Sequence, residues 1–271
     1  MTNTFRATAA AGRPARPAAG LEQPEPPALP QYSLRQILGL WAAAALPMAA
    51  LAWLVAPWLA GALEGASAWP RAIVVSLTAG LFWQLVLVLV LVRREQGSLR
   101  WSVLKDALWL RAPQNPRSGR RGGRLWFLVA PLVGFVAIKE LLPKLPAPAA
   151  RELSLFLEST AGQEFFAGNW PWFAMTLLMM VLNTALGEEL LFRGLLLPRM
   201  EGVFGSRDWV ANGVLFGLYH LHVPWTIPHN VLDTFYLSYP GKRYRSALLP
   251  IAVHSAQTVV LGLLLLTVVL S

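Results

Sequence analysis

Long stretches without a charged residue constrain this chain more than any other feature of its sequence. Five of them run for at least 21 residues, at 36–63, 72–92, 165–187, 209–232 and 246–271. A helix needs about 20 apolar residues to cross the hydrocarbon core of a bilayer. Only 14% of the residues are charged and 55% are hydrophobic, so the sequence predicts a polytopic membrane protein and excludes an intrinsically disordered one.

The fold class expected from these runs is all-α, a transmembrane helical bundle of about seven membrane segments. The fifth and sixth segments are the weakest, because Pro224 and Pro228 interrupt them. A re-entrant segment would explain the short, polar sixth one. The predicted segments are 36–60, 71–92, 125–142, 172–198, 208–223, 225–240 and 246–270.

The basic residues indicate how the chain is oriented in the membrane. The loop at 93–124 holds nine Lys and Arg residues against two acidic ones, whereas residues 61–70 hold no basic residue. Cytoplasmic loops are enriched in Lys and Arg, so we expect this loop and the N-terminus, two crossings earlier, to be cytoplasmic. Basic cytoplasmic loops then account for the net charge of +9. Because this charge needs no nucleic acid to explain it, we predict no nucleic-acid partner.

Composition divides the chain into a tail and a membrane domain. The first 32 residues are rich in Pro, Ala and Arg and predict a disordered cytoplasmic tail, ahead of a membrane domain at 33–271. Residues 98–111 alternate apolar and basic side chains at helical spacing, which is typical of an interfacial amphipathic helix. The chain has no cysteine, which excludes disulfides, thiolate zinc sites and cysteine nucleophiles.

Ionisable residues are rare inside the predicted membrane segments and cluster near the C-terminus. Glu188 and Glu189 share one segment, and all four histidines lie at 220–254. At 1.5 Å per residue, Glu188, His220 and His254 lie about 14–18 Å from the cytoplasmic ends of their helices. Ionisable groups at that depth are costly and indicate function. We therefore expect these three residues to converge on one polar cavity open to the cytoplasm.

Helical spacing suggests different roles for the two glutamates. Glu189 and Arg193 are four residues apart, so they share a helix face and are expected to form an ion pair. Glu188 then projects about 100° away and is left as the carboxylate that faces the cavity. A purely structural clamp is the alternative for the Glu189–Arg193 pair.

Four other polar residues are expected to lie away from the predicted cavity. On a continuous helix His222 points almost opposite to His220, so we expect it to face away from the cavity. We expect His229 near the opposite membrane surface, and Lys139 and Glu140 at the membrane interface.

Three sequence motifs follow one another in the last hundred residues. Glu188–Arg193 fits EExxxR, Phe216–His220 fits FxxxH, and His254 opens HxxxN, although Thr258 replaces the Asn. Their order and spacing resemble the CPBP family, which includes the CAAX prenyl endopeptidases and the ABI group of bacteriocin-processing or immunity homologues. The resemblance covers about 170–270 and implies a catalytic core there, in a bacterial inner membrane. In the family the Asn helps to form an oxyanion hole, for which threonine is a shorter donor.

The resemblance implies a glutamate-dependent intramembrane endopeptidase acting on a membrane-associated peptide or protein. Glu188 would be the general base that deprotonates a trapped water. His220 and His254 would hold that water or polarise the scissile carbonyl, and Arg193 would fix Glu189.

Metal use and activity itself stay open on the sequence alone. Two histidines and Glu188 make a zinc set with an open position, but water activation without a metal needs the same residues. A non-catalytic scaffold or immunity homologue would keep the same fold. A proton-coupled transporter would use Glu and His as a relay, although the sequence has no inverted repeat.

Overall fold

The computed structural model describes residues 29–151 and 153–271. Of the tail predicted at 1–32, only the last four residues fall within these ranges, and the rest lies outside the described residues. The all-helical prediction is confirmed, since the described residues form no strand beyond an isolated bridge between Gln114 and Arg121.

Four of the predicted membrane segments correspond to helices long and apolar enough to cross a membrane, at Leu34–Gly61, Ala68–Gln96, Trp170–Arg199 and Leu248–Val269. In chain order the helices are α1 (Leu34–Gly61), α2 (Ala68–Gln96), α3 (Trp101–Ala107), α4 (Val129–Glu140), α5 (Leu153–Glu158), α6 (Thr160–Phe166), α7 (Trp170–Arg199), α8 (Glu201–Phe204), α9 (Asp208–Tyr219), α10 (Ile227–Val231), α11 (Tyr239–Arg243) and α12 (Leu248–Val269).

The other three predicted segments are not confirmed as spanning helices. Helix α9 has 12 residues, about 18 Å at the α-helical rise, which is short of a bilayer core of about 30 Å. Helix α4 also has 12 residues and continues a 3₁₀ helix at Gly123–Leu128, and it is not among the helices long and apolar enough to cross. The segment predicted at 225–240 is divided among a 3₁₀ turn, α10, a π-helical turn at Thr234–Ser238 and the start of α11. Prolines at several of these junctions prevent one continuous helix.

The C-terminal part of α7 lies at the centre of the bundle. Every residue from Gly187 to Met200 is buried, whereas α2 and α12 expose large apolar side chains such as Val90 and Leu263. Exposed apolar faces of this kind are expected where a helix meets lipid. The EExxxR motif therefore lies within a continuously buried stretch of α7.

Glycine lets α9 pack closely against the broken segment that follows it. A Cβ added at Gly213 would lie 1.9 Å from the Thr234 hydroxyl, and one at Gly217 would lie 2.5 Å from Val231. Two small residues one turn apart allow such close helix packing in membranes. This contact fixes the end of α9, where His220 lies.

A buried ion pair joins the ends of α2 and α7. Arg199, directly after the segment predicted at 172–198, is fully buried. Its Nη2 and Nε donate to Glu95 Oε2 at 2.7 and 3.0 Å. Its Nη1 donates to the Ala107 and Leu195 carbonyls. The Tyr32 hydroxyl also donates to Glu95. These bonds hold α2, α3 and α7 together at one end of the bundle.

Candidate active site

The backbone of α7 widens on both sides of the two glutamates. π-Helical stretches at Leu182–Gly187 and Leu190–Leu196 flank Glu188 and Glu189. Such stretches occur frequently at functional sites. Gly187 is required here because an added Cβ would lie 2.8 Å from the Leu182 carbonyl oxygen and 3.3 Å from that of Leu81 in α2.

Glu189 lies at the centre of a buried hydrogen-bond network. Its Oε1 accepts from Arg193 Nη1 at 3.1 Å, which confirms the predicted pair, and is hydrogen-bonded to His254 Nδ1 at 2.9 Å. Glu189 and Arg193 are both fully buried. The Arg193 guanidinium also lies 4.0 Å from the centre of the Phe216 ring, a cation–π contact. Three motifs from three helices thus meet around one ion pair.

Phe216 separates and orients the two motif histidines. His220 caps the C-terminus of α9, and its Nδ1 is hydrogen-bonded to the Phe216 carbonyl at 2.9 Å. The Phe216 ring contacts the His220 ring edge-on at 5.0 Å and the His254 ring at 6.4 Å between centroids. Since each Nδ1 is already bonded, Nε2 is the nitrogen that each histidine can offer to a ligand.

Glu188 is a buried carboxylate without a complete set of partners. It is 1% exposed, and its Oε2 has no hydrogen-bond partner among the described residues. The Tyr219 hydroxyl neighbours this carboxylate and accepts a hydrogen bond from Gln84 Nε2 at 2.6 Å. Sequence reasoning missed both residues. Gln84 is the one amide in the uncharged run at 72–92, and that signal could have identified it.

Thr258 lies one turn after His254, as expected, but its hydroxyl is engaged. Its Oγ1 lies 2.8 Å from Thr184 Oγ1 and donates to the Met180 carbonyl at 3.3 Å. Ser255 donates to the same Thr184 oxygen at 3.4 Å. Hydroxyl groups therefore join α12 to α7 one turn before Glu188, and Thr184 is a further polar residue that the motifs did not predict.

The prediction that His222 faces away from His220 is wrong. The two imidazole rings stack with their centroids 5.3 Å apart. The prediction assumed a continuous helix, whereas α9 ends at Tyr219 and His220 adopts non-helical backbone angles. His222 therefore lies beside the candidate site, with its Nδ1 unpartnered among the described residues.

Lys139 and Glu140, both predicted at the membrane interface, differ in their surroundings. Lys139 is buried, and its Nζ donates to Asp233 Oδ1 at 2.8 Å. The Tyr236 hydroxyl donates to the same carboxylate. Glu140, by contrast, is exposed and pairs with Lys144 and with His229 Nε2 at 3.4 Å. Asp233 was missed, and it adds a carboxylate to the electrostatic surroundings of Glu188 and His254.

A metal site stays a prediction. Among residues 29–151 and 153–271, no three His, Asp or Glu side chains come close enough to form a ligand set. The predicted ligands Glu188, His220 and His254 do have free atoms, Oε2 and the two Nε2. The donor chemistry is that of a zinc site, but the three groups would have to move to coordinate one ion. The predicted cytoplasm-facing cavity is likewise not confirmed.

The comparisons with known proteins agree with the motifs. Residues 170–260 match the family model described as "Type II CAAX prenyl endopeptidase Rce1-like". The match covers about a third of the chain and contains all three motifs, which confirms the resemblance found in the sequence. No curated protein and no solved structure matches the chain. This part of the chain is therefore similar to CAAX-type intramembrane proteases.

Proposed function

We propose that the protein is an intramembrane endopeptidase in which Glu188 activates the attacking water. The observation that supports this most strongly is the buried Glu188 carboxylate in an apolar helix: its Oε2 is unpartnered and, unlike Glu189, it is bonded to neither Arg193 nor His254. A polar group buried without a partner destabilises the fold. A general base needs such a free oxygen within reach of the proton it takes.

In this mechanism, Glu188 takes a proton from water while the water oxygen forms a bond to the scissile carbonyl carbon. The two Nε2 atoms of His220 and His254 orient the water or polarise the carbonyl oxygen. As the C–N bond breaks, protonated Glu188 returns its proton to the leaving amine nitrogen. Glu189, held by Arg193, fixes the orientation of His254 through its Nδ1.

Thr258 has a positioning role in this proposal. Its hydroxyl bonds to Thr184 and to the Met180 carbonyl, so it is already used in holding α12 against α7. His220 and His254 then supply the polarisation that an Asn at position 258 would contribute in the family pattern. If zinc takes part, Glu188, His220 and His254 would hold it, and it would supply a more acidic bound water.

Cleavage of a membrane-peptide library by the purified full-length protein tests the proposal. The library contains prenylated and unprenylated peptides, because the substrate is expected to be membrane-associated. Glu188→Gln should lower cleavage by about 10²–10⁴-fold, the usual contribution of a general base. Glu164→Gln, which changes an exposed glutamate in α6, is the matched control and should keep wild-type cleavage.

Two outcomes would contradict the proposal. Full cleavage by Glu188→Gln would remove Glu188 from the chemistry. A folded wild-type protein that cleaves no peptide would favour the non-catalytic scaffold. A parallel assay with a chelator separates the two forms of water activation, since a metal-dependent enzyme should lose activity and regain it with added zinc.

We also propose that the N-terminus and the loop at 93–124 face the cytoplasm of a bacterial inner membrane. The chain has no cysteine, so single cysteines report the topology without background. Ala66→Cys and Arg117→Cys replace exposed residues. In intact cells a membrane-impermeant thiol reagent should label position 66, and position 117 only after permeabilisation. The reverse pattern would invert the topology.

A further inference from the structure

A second polar site lies at one end of the bundle, away from Glu188. It is a cavity of about 410 Å³ between two loops. One side is formed by Gln114–Pro116 and Gly119, and the other by Lys242, Arg243 and Arg245. Its size falls within the range of small-molecule pockets, about 300–1,000 Å³, and is larger than a lone inorganic anion requires. We call it the headgroup pocket.

Backbone bonds between its two loops fix the shape of the headgroup pocket. The Gln114 amide donates to the Tyr244 carbonyl at 2.8 Å, and the Ser246 hydroxyl donates to the Arg111 carbonyl at 2.6 Å. Arg245 has a φ of +47°, a conformation uncommon for residues other than glycine. A surrounding structure must hold such a residue in place, so the position of its side chain beside the pocket is imposed by the fold.

The charge of the headgroup pocket is positive and largely unpaired. Lys242 is bonded to Glu201 at 2.8 Å and to Asp208. Arg243 and Arg245 form no ion pair and no side-chain hydrogen bond with any described residue, and no carboxylate lines the pocket. Asn115 Oδ1 accepts from the Arg117 and Ser118 amides, which leaves its Nδ2 free to donate. A guanidinium group matches the geometry of a phosphate and binds two of its oxygens at once.

The location of the headgroup pocket indicates where that phosphate comes from. The loop at 114–119 follows α3, whose Trp101 is 63% exposed beside Arg100 and Lys105. An exposed tryptophan among cations is typical of the membrane interface. Helix α12, which crosses the membrane, begins three residues after Arg245. Basic pockets in this position bind acidic lipid headgroups.

We propose that the headgroup pocket binds the phosphodiester headgroup of an acidic membrane lipid. Arg243 and Arg245 bind the phosphate oxygens, and the Asn115 amide donates to the rest of the headgroup. This site is independent of the proposed protease activity, because among the described residues no hydrogen bond or ion pair joins its lining to Glu188, His220 or His254.

Binding of fluorescent phosphatidylglycerol to the full-length protein in neutral detergent tests this proposal, with phosphatidylcholine as the reference lipid. The pocket variant is Arg243→Gln with Arg245→Asn, because asparagine tolerates a positive φ. The matched control is Arg93→Gln with Arg94→Gln, two exposed arginines at the end of α2. A cation near an acidic surface contributes about fivefold in binding, so the pocket variant should bind about thirtyfold more weakly. The control should change less than threefold.

Three results would overturn the proposal. Equal losses in the two double variants would mean that diffuse charge, not the pocket, attracts the lipid. Equal binding of phosphatidylglycerol and phosphatidylcholine would show that the pocket does not recognise an acidic headgroup. Competition by millimolar inorganic phosphate alone would assign the pocket to a free anion. Arg243→Gln by itself changes an exposed, unpaired side chain, so it keeps the test valid if the double variant fails to fold.

Discussion

Helices α2 and α7 have nearly the same length, 29 and 30 residues, and both are able to cross a membrane. Their surroundings differ. Helix α2 is an uninterrupted α-helix that exposes Phe82, Trp83 and Val90. Helix α7 is interrupted by π-helical stretches and buries four ionisable residues, Glu188, Glu189, Arg193 and Arg199.

The difference teaches that length and apolarity identify a membrane helix but not its role. Charged groups are stable in the C-terminal part of α7 because other helices surround that part and supply partners such as His254 and Glu95. The lipid-facing sides of α2 have no such partners. A substitution should therefore have an effect that depends on which kind of helix carries it.

Arg193→Ala should have the largest effect on stability. It leaves the fully buried Glu189 carboxylate without its cation and removes the contact with Phe216. Loss of one partner from a buried ion pair costs about 3–5 kcal/mol, to be measured by chemical unfolding in detergent. Arg94→Ala, at the exposed end of α2, should change stability by less than about 0.5 kcal/mol. Similar effects at both sites would contradict the comparison.

Gly213→Ala should have the next largest effect. The new methyl group would lie 1.9 Å from Thr234 Oγ1, so α9 must move away from the segment that follows it, at a cost of about 1–3 kcal/mol. Gly39→Ala in α1 has nothing within 4 Å and should stabilise the protein slightly, since alanine favours helix. The melting temperature should fall for Gly213→Ala and rise slightly for Gly39→Ala. A rise for both variants would mean that α9 packs loosely against the segment that follows it.

Gln84→Leu should have the smallest effect, and it tests a polar link from α2 to the site. It removes the hydrogen bond to the Tyr219 hydroxyl, which is expected to cost about 1 kcal/mol. The cleavage rate should fall by more than the loss of folding stability explains, because Tyr219 neighbours Glu188. Thr78→Val is the control, since that hydroxyl bonds only to the Val74 carbonyl of its own helix. An unchanged cleavage rate in Gln84→Leu would show that the hydrogen bond from α2 to Tyr219 does not contribute to activity.

The sequence predicted the features that depend on local spacing. Lipid requires apolar residues, so the uncharged runs located α1, α2, α7 and α12. The four-residue spacing predicted the Glu189–Arg193 pair. Lys139 and Asp233 are 94 positions apart, and no pattern in the sequence joins them. The stacking of His220 on His222 depends on where tertiary contacts end α9, which periodicity alone does not reveal.

The π-helical stretches of α7 also determine where this helix tolerates a deletion. A π turn holds more residues than an α turn, because each N–H group reaches back five residues instead of four. Deleting one residue from Leu182–Gly187 would let the stretch relax to α geometry. Because six π-helical residues turn through about the same angle as five α-helical ones, the preceding part of α7, Trp170–Val181, would keep its orientation relative to Glu188. A deletion within Trp170–Val181 itself has no such compensation and would rotate every earlier residue of α7 by about 100°, so single-residue deletions should be tolerated far better in the π-helical stretch than in the α-helix before it.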